Sequence, residues 1–244
     1  MELIDEITVA ALELARAGRG ETALRLLDAS GPDDPRIALT AAEVAVEHDM
    51  RTGSREAPAR VAAAEKICGR TWDVEFAALR LDYFDQVFSR STSGDDLRPW
   101  ASRLIGSAPD PVRAGWAHMW LGLILDNLAG DRPAAPAHYR VALSAGDDLL
   151  TWEALRHLGD HDRDDGDLDR ARERWERAAA LGAATGRVGG TLAQQMLLAV
   201  LHRDTGDEAG AVALAREISR WAHAIGAVRQ HRQAEAFLAG ERIA

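Results

Sequence analysis

The side chains most able to do chemistry in this sequence gather between Trp152 and Arg177. The run Asp160-His161-Asp162-Arg163-Asp164-Asp165-Gly166 sets carboxylates at near-alternate positions, the pattern by which a loop wraps calcium in oxygen ligands. Such a loop needs glycine at its sixth position and a bidentate Glu at its twelfth. Here Gly166 is seventh and Ala171 twelfth, so calcium is not expected. His157 and His161 stand one helical turn apart and could face one zinc ion, but no third ligand accompanies them; two surface histidines on an acidic helix account for the pair. Arg170, Arg172, Arg174 and Arg177 would suit an anion, yet Asp167, Asp169, Glu173 and Glu176 interleave them, and the order Glu173 to Arg177 pairs charges along a helix. No phosphate-binding loop, nucleophile elbow, dinucleotide fingerprint or HExxH helix is present, so no catalytic centre, cofactor or resident metal is expected.

The elements that would carry these groups are helices. A chain of 244 residues with 47% apolar side chains buries a substantial core, and its abundant Ala, Leu, Arg and Glu with only 8 Pro favour helix. The single cysteine, Cys68, excludes an internal disulfide and fits a reducing cytoplasm, the expected location. No export signal is visible at Met1-Glu2-Leu3-Ile4-Asp5-Glu6. The longest apolar stretch, Met196 to Leu201, falls far short of the roughly 20 residues a bilayer requires, so no membrane span is expected. A net charge of −10 opposes phosphate-backbone binding, and direct contact with nucleic acid is not expected. Twenty-eight of the 29 basic residues are Arg, which fits either a taste for planar anions or G+C-rich codons.

Apolar spacing, punctuated by Gly and Pro, predicts thirteen helices: 3–16, 19–30, 35–49, 56–68, 71–89, 95–106, 111–129, 132–144, 149–163, 167–184, 189–205, 207–225 and 227–239. Ser91 to Asp96 and Ala108 to Pro111 are the expected flexible joints. Four turns share a ladder in which a glycine is followed at fixed offsets by small or apolar residues: Gly18, Ala23, Leu27, Ser30; Gly130, Ala135, Tyr139, Ala142; Gly166, Ala171, Trp175, Ala178; Gly206, Ala211, Ala215, Ile218. A left-handed glycine ends one helix, a small residue inside the next lets two axes approach, and a larger one fills the groove between them.

These residues resemble the tetratricopeptide repeat, a helix-turn-helix unit of about 34 residues. Trp152 to Leu181, with Leu158-Gly159 ahead of Gly166, Ala171, Trp175 and Ala178, fits best. Leu121-Gly122 through Gly130, Ala135, Tyr139 and Ala142 fits with one extra residue before the turn, and Pro35 stands where the family ends its second helix. Turn glycines 36 and 40 residues apart depart from the family spacing, Gly53 is followed by Pro58 and only a shifted set of small residues, and Thr71 to Pro111 keeps helical amphipathicity with little of the motif. The resemblance implies an all-α, right-handed solenoid of about six antiparallel hairpins over 1–244, partly degenerate over 1–90, clearest over 111–225 and closed by a capping helix at 227–239.

It also implies a binding scaffold rather than an enzyme. Carried over residue by residue, the family's concave groove becomes Trp116, Met119, Leu123 and Asp126, then Glu153, Arg156, Asp160 and Arg163, then Met196, Val200 and Arg203. Trp116 and Met119 fit a core face equally well. A half-apolar, half-ionic groove would take a peptide or partner helix from another protein, and a second copy could cover the apolar ends of the stack. The alternative is a ligand- or peptide-sensing module of a bacterial transcriptional regulatory system.

Overall fold

The computed structural model describes residues 2–88 and 94–241. Its thirteen α-helices each fall on one of the thirteen expected segments, with ends no more than three residues away. No strand occurs among the described residues, so the chain is all-α, and no described helix is long and apolar enough to cross a membrane. Of the joint expected at Ser91 to Asp96, residues 91–93 lie outside the described ones. The other joint is a helix cap: Asp110 accepts the Arg113 backbone N–H at 2.9 Å, and Pro111 opens the helix where its missing donor costs nothing.

Two compact units divide the chain, Met1–Gly146 and Asp147–Ala244. The first holds α1 (Glu2–Arg16), α2 (Gly20–Asp28), α3 (Pro35–Thr52), α4 (Ala57–Cys68), α5 (Trp72–Val87), α6 (Arg98–Gly106), α7 (Pro111–Asn127) and α8 (Ala135–Leu143), with a 3-10 turn (Arg132–Ala134) before α8. Each packs on the next. Ala23, Leu27, Ile37, Ala42, Val46, Ala57 and Ala64 lie in one core among the first helices. Between α3 and α4 the buried Asp49 carboxylate accepts from the Ser54 hydroxyl and from the Ala57 backbone N–H at 2.9 Å, which fixes the start of α4.

The second unit holds α9 (Asp148–Asp164), α10 (Leu168–Ala184), α11 (Val188–Asp204), α12 (Glu208–Ala224) and α13 (Val228–Leu238). Its first four helices have 17 residues each, and every turn between its helices is built on a glycine with positive φ, Gly166, Gly186, Gly206 and Gly226, as is the turn before α9 at Gly146, with φ between 71° and 85°. The glycines therefore recur every twenty residues. In each turn after α9 the N–H beyond the glycine reaches five residues back, as Asp167 does to Asp162, Arg187 to Gly182, Asp207 to His202 and Ala227 to Ala222, each at 2.8 Å. That bond needs the left-handed glycine and satisfies a helix-end carbonyl. Asp147, Asp167 and Asp207 cap the helices they precede, whereas Arg187 and Ala227 do not, so two turn types occur in the second unit.

Small residues do in the structure what their spacing predicts. Ala171, Trp175 and Ala178 are closed to solvent, as are Ala135, Tyr139 and Ala142, and Ala211 and Ala215. A Cβ on Gly159 would collide with the Trp175 indole, and one on Gly122 would collide with the Tyr139 ring. The aromatic of the second helix thus rests on the glycine of the first. Trp175 is fixed there by its indole N–H, which donates to the Arg156 carbonyl at 3.1 Å, and Tyr139 by its hydroxyl, which donates to Asp126 at 2.9 Å.

Candidate functional site

Helix α9 separates its residues cleanly by face. Leu150, Ala154, Leu155, Leu158 and Gly159 point into the unit, while Glu153, Arg156, Asp160 and Arg163, spaced three, four and three apart, form one polar stripe. Arg156 and Arg163 are each about one-third exposed, at 36% and 37%. Arg163 reaches α11, donating through Nε and Nη2 to Asp204 at 2.9 and 2.6 Å. His157, placed four residues after Glu153 and three before Asp160, has ring nitrogens 3.5 Å from one carboxylate and 3.8 Å from the other. Behind the stripe the Trp152 indole lies in a slot opened by Gly182 and Gly190, where an added Cβ would strike the ring. The Arg187 guanidinium sits 4.6 Å above that ring.

Glu153 is the electrostatic centre of this face. Burial raises its carboxyl, but the His157 hydrogen bond and the charges of His157, Arg156 and Arg187 outweigh that and bring it to about 2. The carboxylate therefore stays charged, enclosed by cations. Three side chains nearby keep polar atoms that are buried without a hydrogen-bond partner: Arg156 at Nε, Trp152 at Nε1, and Gln194 at both amide atoms. Gln194 lies one turn beyond Gly190 on α11 and is wholly buried. Unmet polar atoms of this kind are uncommon in folded chains.

The remaining predicted groove residues have other surroundings. Met119, Leu123 and Met196 are core side chains, and Val200 packs on the core that contains Met196. Trp116 is half-buried. Asp126 is enclosed and accepts from Arg132 at 2.7 Å as well as from Tyr139. Arg203 forms a two-pronged bond to Glu208, donates to the Phe237 carbonyl at 3.2 Å, and lies 3.5 Å above the Phe237 ring, so it fastens α13. The structure thus brings Glu153, Arg156, Asp160 and Arg163 together on one face. It adds Trp152, His157, Arg187 and Asp204, none of which the spacing placed in the groove.

Two carboxylates at the end of α9 and in the turn after it are spent on structure. Asp162 pairs with Arg174 at 2.7 Å, its carboxyl raised by burial more than Arg174 and Arg170 lower it, and Asp167 caps α10. Among the described residues no three His, Cys, Asp or Glu side chains converge as a metal cluster. In the first unit His118 and His138 stack between α7 and α8 with their Nδ1 atoms 2.9 Å apart. No family model, curated protein or solved structure matches the chain.

Proposed function

We propose that this chain is a tetratricopeptide-like helical-repeat scaffold, a right-handed stack of antiparallel hairpins, that works by binding a peptide or partner helix rather than by catalysis. The observation that carries the reading is the twenty-residue recurrence of left-handed glycines from Gly146 to Gly226, with Ala171, Trp175, Ala178, Ala211 and Ala215 buried at the ladder positions. Two such steps make one hairpin of forty residues. The binding surface of the proposal is the α9 face, where Arg156, Asp160 and Arg163, each about one-third exposed, offer both signs of charge. A segment with a carboxylate for Arg156 and a short apolar anchor fits that chemistry.

The test is a displayed library of short helical peptides selected against the full chain, followed by affinities measured by fluorescence anisotropy. Acidic-apolar sequences should be enriched. Arg156→Glu should weaken the selected peptides by about tenfold or more, the loss of one charge-assisted contact of about 1.4 kcal/mol. Enrichment of peptides whose affinity is indifferent to Arg156→Glu, or no enrichment at all, would remove the α9 face from consideration.

A further inference from the structure

Within the first unit, two imidazoles on α7 and α8 converge in a way that a binding scaffold does not require. His118 and His138 bring their Nδ1 atoms to 2.9 Å, with ring planes 28° apart and ring centres 5.2 Å apart. The centres are separated by about two ring radii more than the nitrogens, which is the most that this contact permits. The near-parallel rings are therefore slid along one another until the two Nδ1 atoms point straight at each other. One nitrogen carries the proton between them and the other accepts it, since two lone pairs or two N–H groups do not approach so closely. The hairpin holds the pair in place: Tyr139, next to His138, rests on Gly122, one turn after His118, and its hydroxyl donates to Asp126 on α7. Both rings are half-buried. The residues three and four places to either side of His118 and of His138 are Ala, Gly, Leu or Val, so neither helix brings a carboxylate to the rings.

We propose that this pair is a two-coordinate site for a soft monovalent cation, Cu⁺, which replaces the shared proton and joins Nδ1 of His118 to Nδ1 of His138. The displaced proton passes through solvent to Nε2 of the same ring, so both rings stay neutral and no proton is released. Opposed lone pairs offer linear coordination, which a copper(I) ion accepts, whereas zinc takes four ligands and calcium six or more oxygens. Among the described residues no third His, Cys, Asp or Glu completes such a set. A site without a carboxylate also carries one positive charge at less cost than two. Burial holds both rings below the usual histidine range, and the charge of His138 lowers His118 further, so at neutral pH the imidazoles are uncharged and able to ligate. Metal-to-nitrogen bonds of about 2 Å in one line set the nitrogens about 4 Å apart, so each half-buried ring retreats by roughly 0.5 Å. This site is separate from the α9 face and does not depend on it.

The full chain carrying Cys68→Ser tests the proposal, because the free thiol would otherwise compete for the same ions. Ag⁺, the redox-inert counterpart of Cu⁺, should bind this chain and raise its melting temperature. In protein labelled with nitrogen-15, the Nδ1 resonances of His118 and His138 should both split by coupling to the silver nucleus, the signature of direct nitrogen–silver bonds. Cu⁺ held in ascorbate should be drawn by the protein from its bicinchoninate complex. His118→Gln and His138→Gln, each with an unchanged circular dichroism spectrum, should lose the copper binding and the thermal shift, whereas His223→Gln, which removes a ring beside His231 instead, should keep both. Silver that splits neither Nδ1 resonance overturns the proposal whatever the variants do. Copper binding that survives His118→Gln or His138→Gln overturns it too, and so does Zn²⁺ occupying the same two nitrogens as readily as Ag⁺.

Discussion

Substituting alanine for glycine should have opposite signs at two positions of the second unit, and the structure says why. At Gly159, in the middle of α9, the substitution gains about 1 kcal/mol of helix propensity. Against this, the new Cβ would overlap the Trp175 indole, with Cδ1 at 2.6 Å. The ring cannot retreat cheaply, since Trp175 is fully buried and held by its bond to the Arg156 carbonyl. Overpacking of this kind costs about 1–3 kcal/mol, and losing the indole hydrogen bond about 1 kcal/mol more. The expected net effect is a loss of roughly 1–3 kcal/mol. At Gly189, in the first turn of α11, the nearest atom to a new Cβ is Gln230 Nε2 at 3.6 Å, ordinary contact. There the methyl should be neutral or stabilise by about 0.5 kcal/mol. Urea denaturation followed by far-ultraviolet circular dichroism separates the two, with the midpoint moving down for Gly159→Ala and the slope unchanged. Trp175→Phe combined with Gly159→Ala should cost less than the two single changes summed, because the smaller ring vacates space the methyl needs. If Gly159→Ala proves as stable as the wild type, or shifts in the same direction as Gly189→Ala, the nesting of Trp175 on Gly159 is not what holds these helices together.

Two titrations follow from the side-chain environments. Glu153, held at about 2 against an ordinary 4.5, contributes stability that is complete above about pH 4.5 and disappears as pH falls toward 2. Moving a carboxyl that far is worth roughly 3 kcal/mol, so Glu153→Gln should flatten the acid limb of a stability-versus-pH curve by about that amount; an unchanged limb refutes the assignment. His118 is held below 6.5 by burial and then by the charge of His138, and His138 is lowered by burial alone. The unfolded chain therefore takes up protons that the folded pair refuses, and the stability present above pH 6.5 is lost as pH drops below it. Thermal melts at about pH 7.5 and about pH 5 should differ more for the wild type than for His118→Gln, and equal differences would show that the stacked pair does not titrate.

The helices were legible because their punctuation is local. A glycine that must be left-handed, an Asp that caps and an Ala that must be small announce themselves within about one turn, which is why the thirteen spans and the ladder from Gly166 to Ala178 match the structure. The stripe on α9 was legible for the same reason, since charges at 153, 156, 160 and 163 stand against a clean apolar face. On α7 the same reasoning had nothing to hold: Met119 through Leu125 is buried without a break, and a helix that is apolar all round does not reveal which side is outermost. Met119 and Leu123 could not be told from groove residues by pattern. The even beat was masked too, because counting from Gly130 to Gly166 crosses the short α8 and gives 36, while the regular run begins only at Gly146.

Trp152 shows what local pattern cannot supply. Its slot is made by Gly182 on the next helix and Gly190 on the one after, and no spacing within α9 foretells it. Once the twenty-residue beat is known, however, distant positions become comparable. Leu192 stands forty residues after Trp152, and Arg232 forty after that; Glu235 stands eighty after Leu155. Trp152, Leu155 and Leu192 are buried, whereas Arg232 and Glu235 are exposed. A helix that exchanges those apolar side chains for charges has lost the means to bury another helix at that register. The polarity of α13 is therefore written in the same period that organises α9 to α12, and it can be read from sequence only after that period has been found.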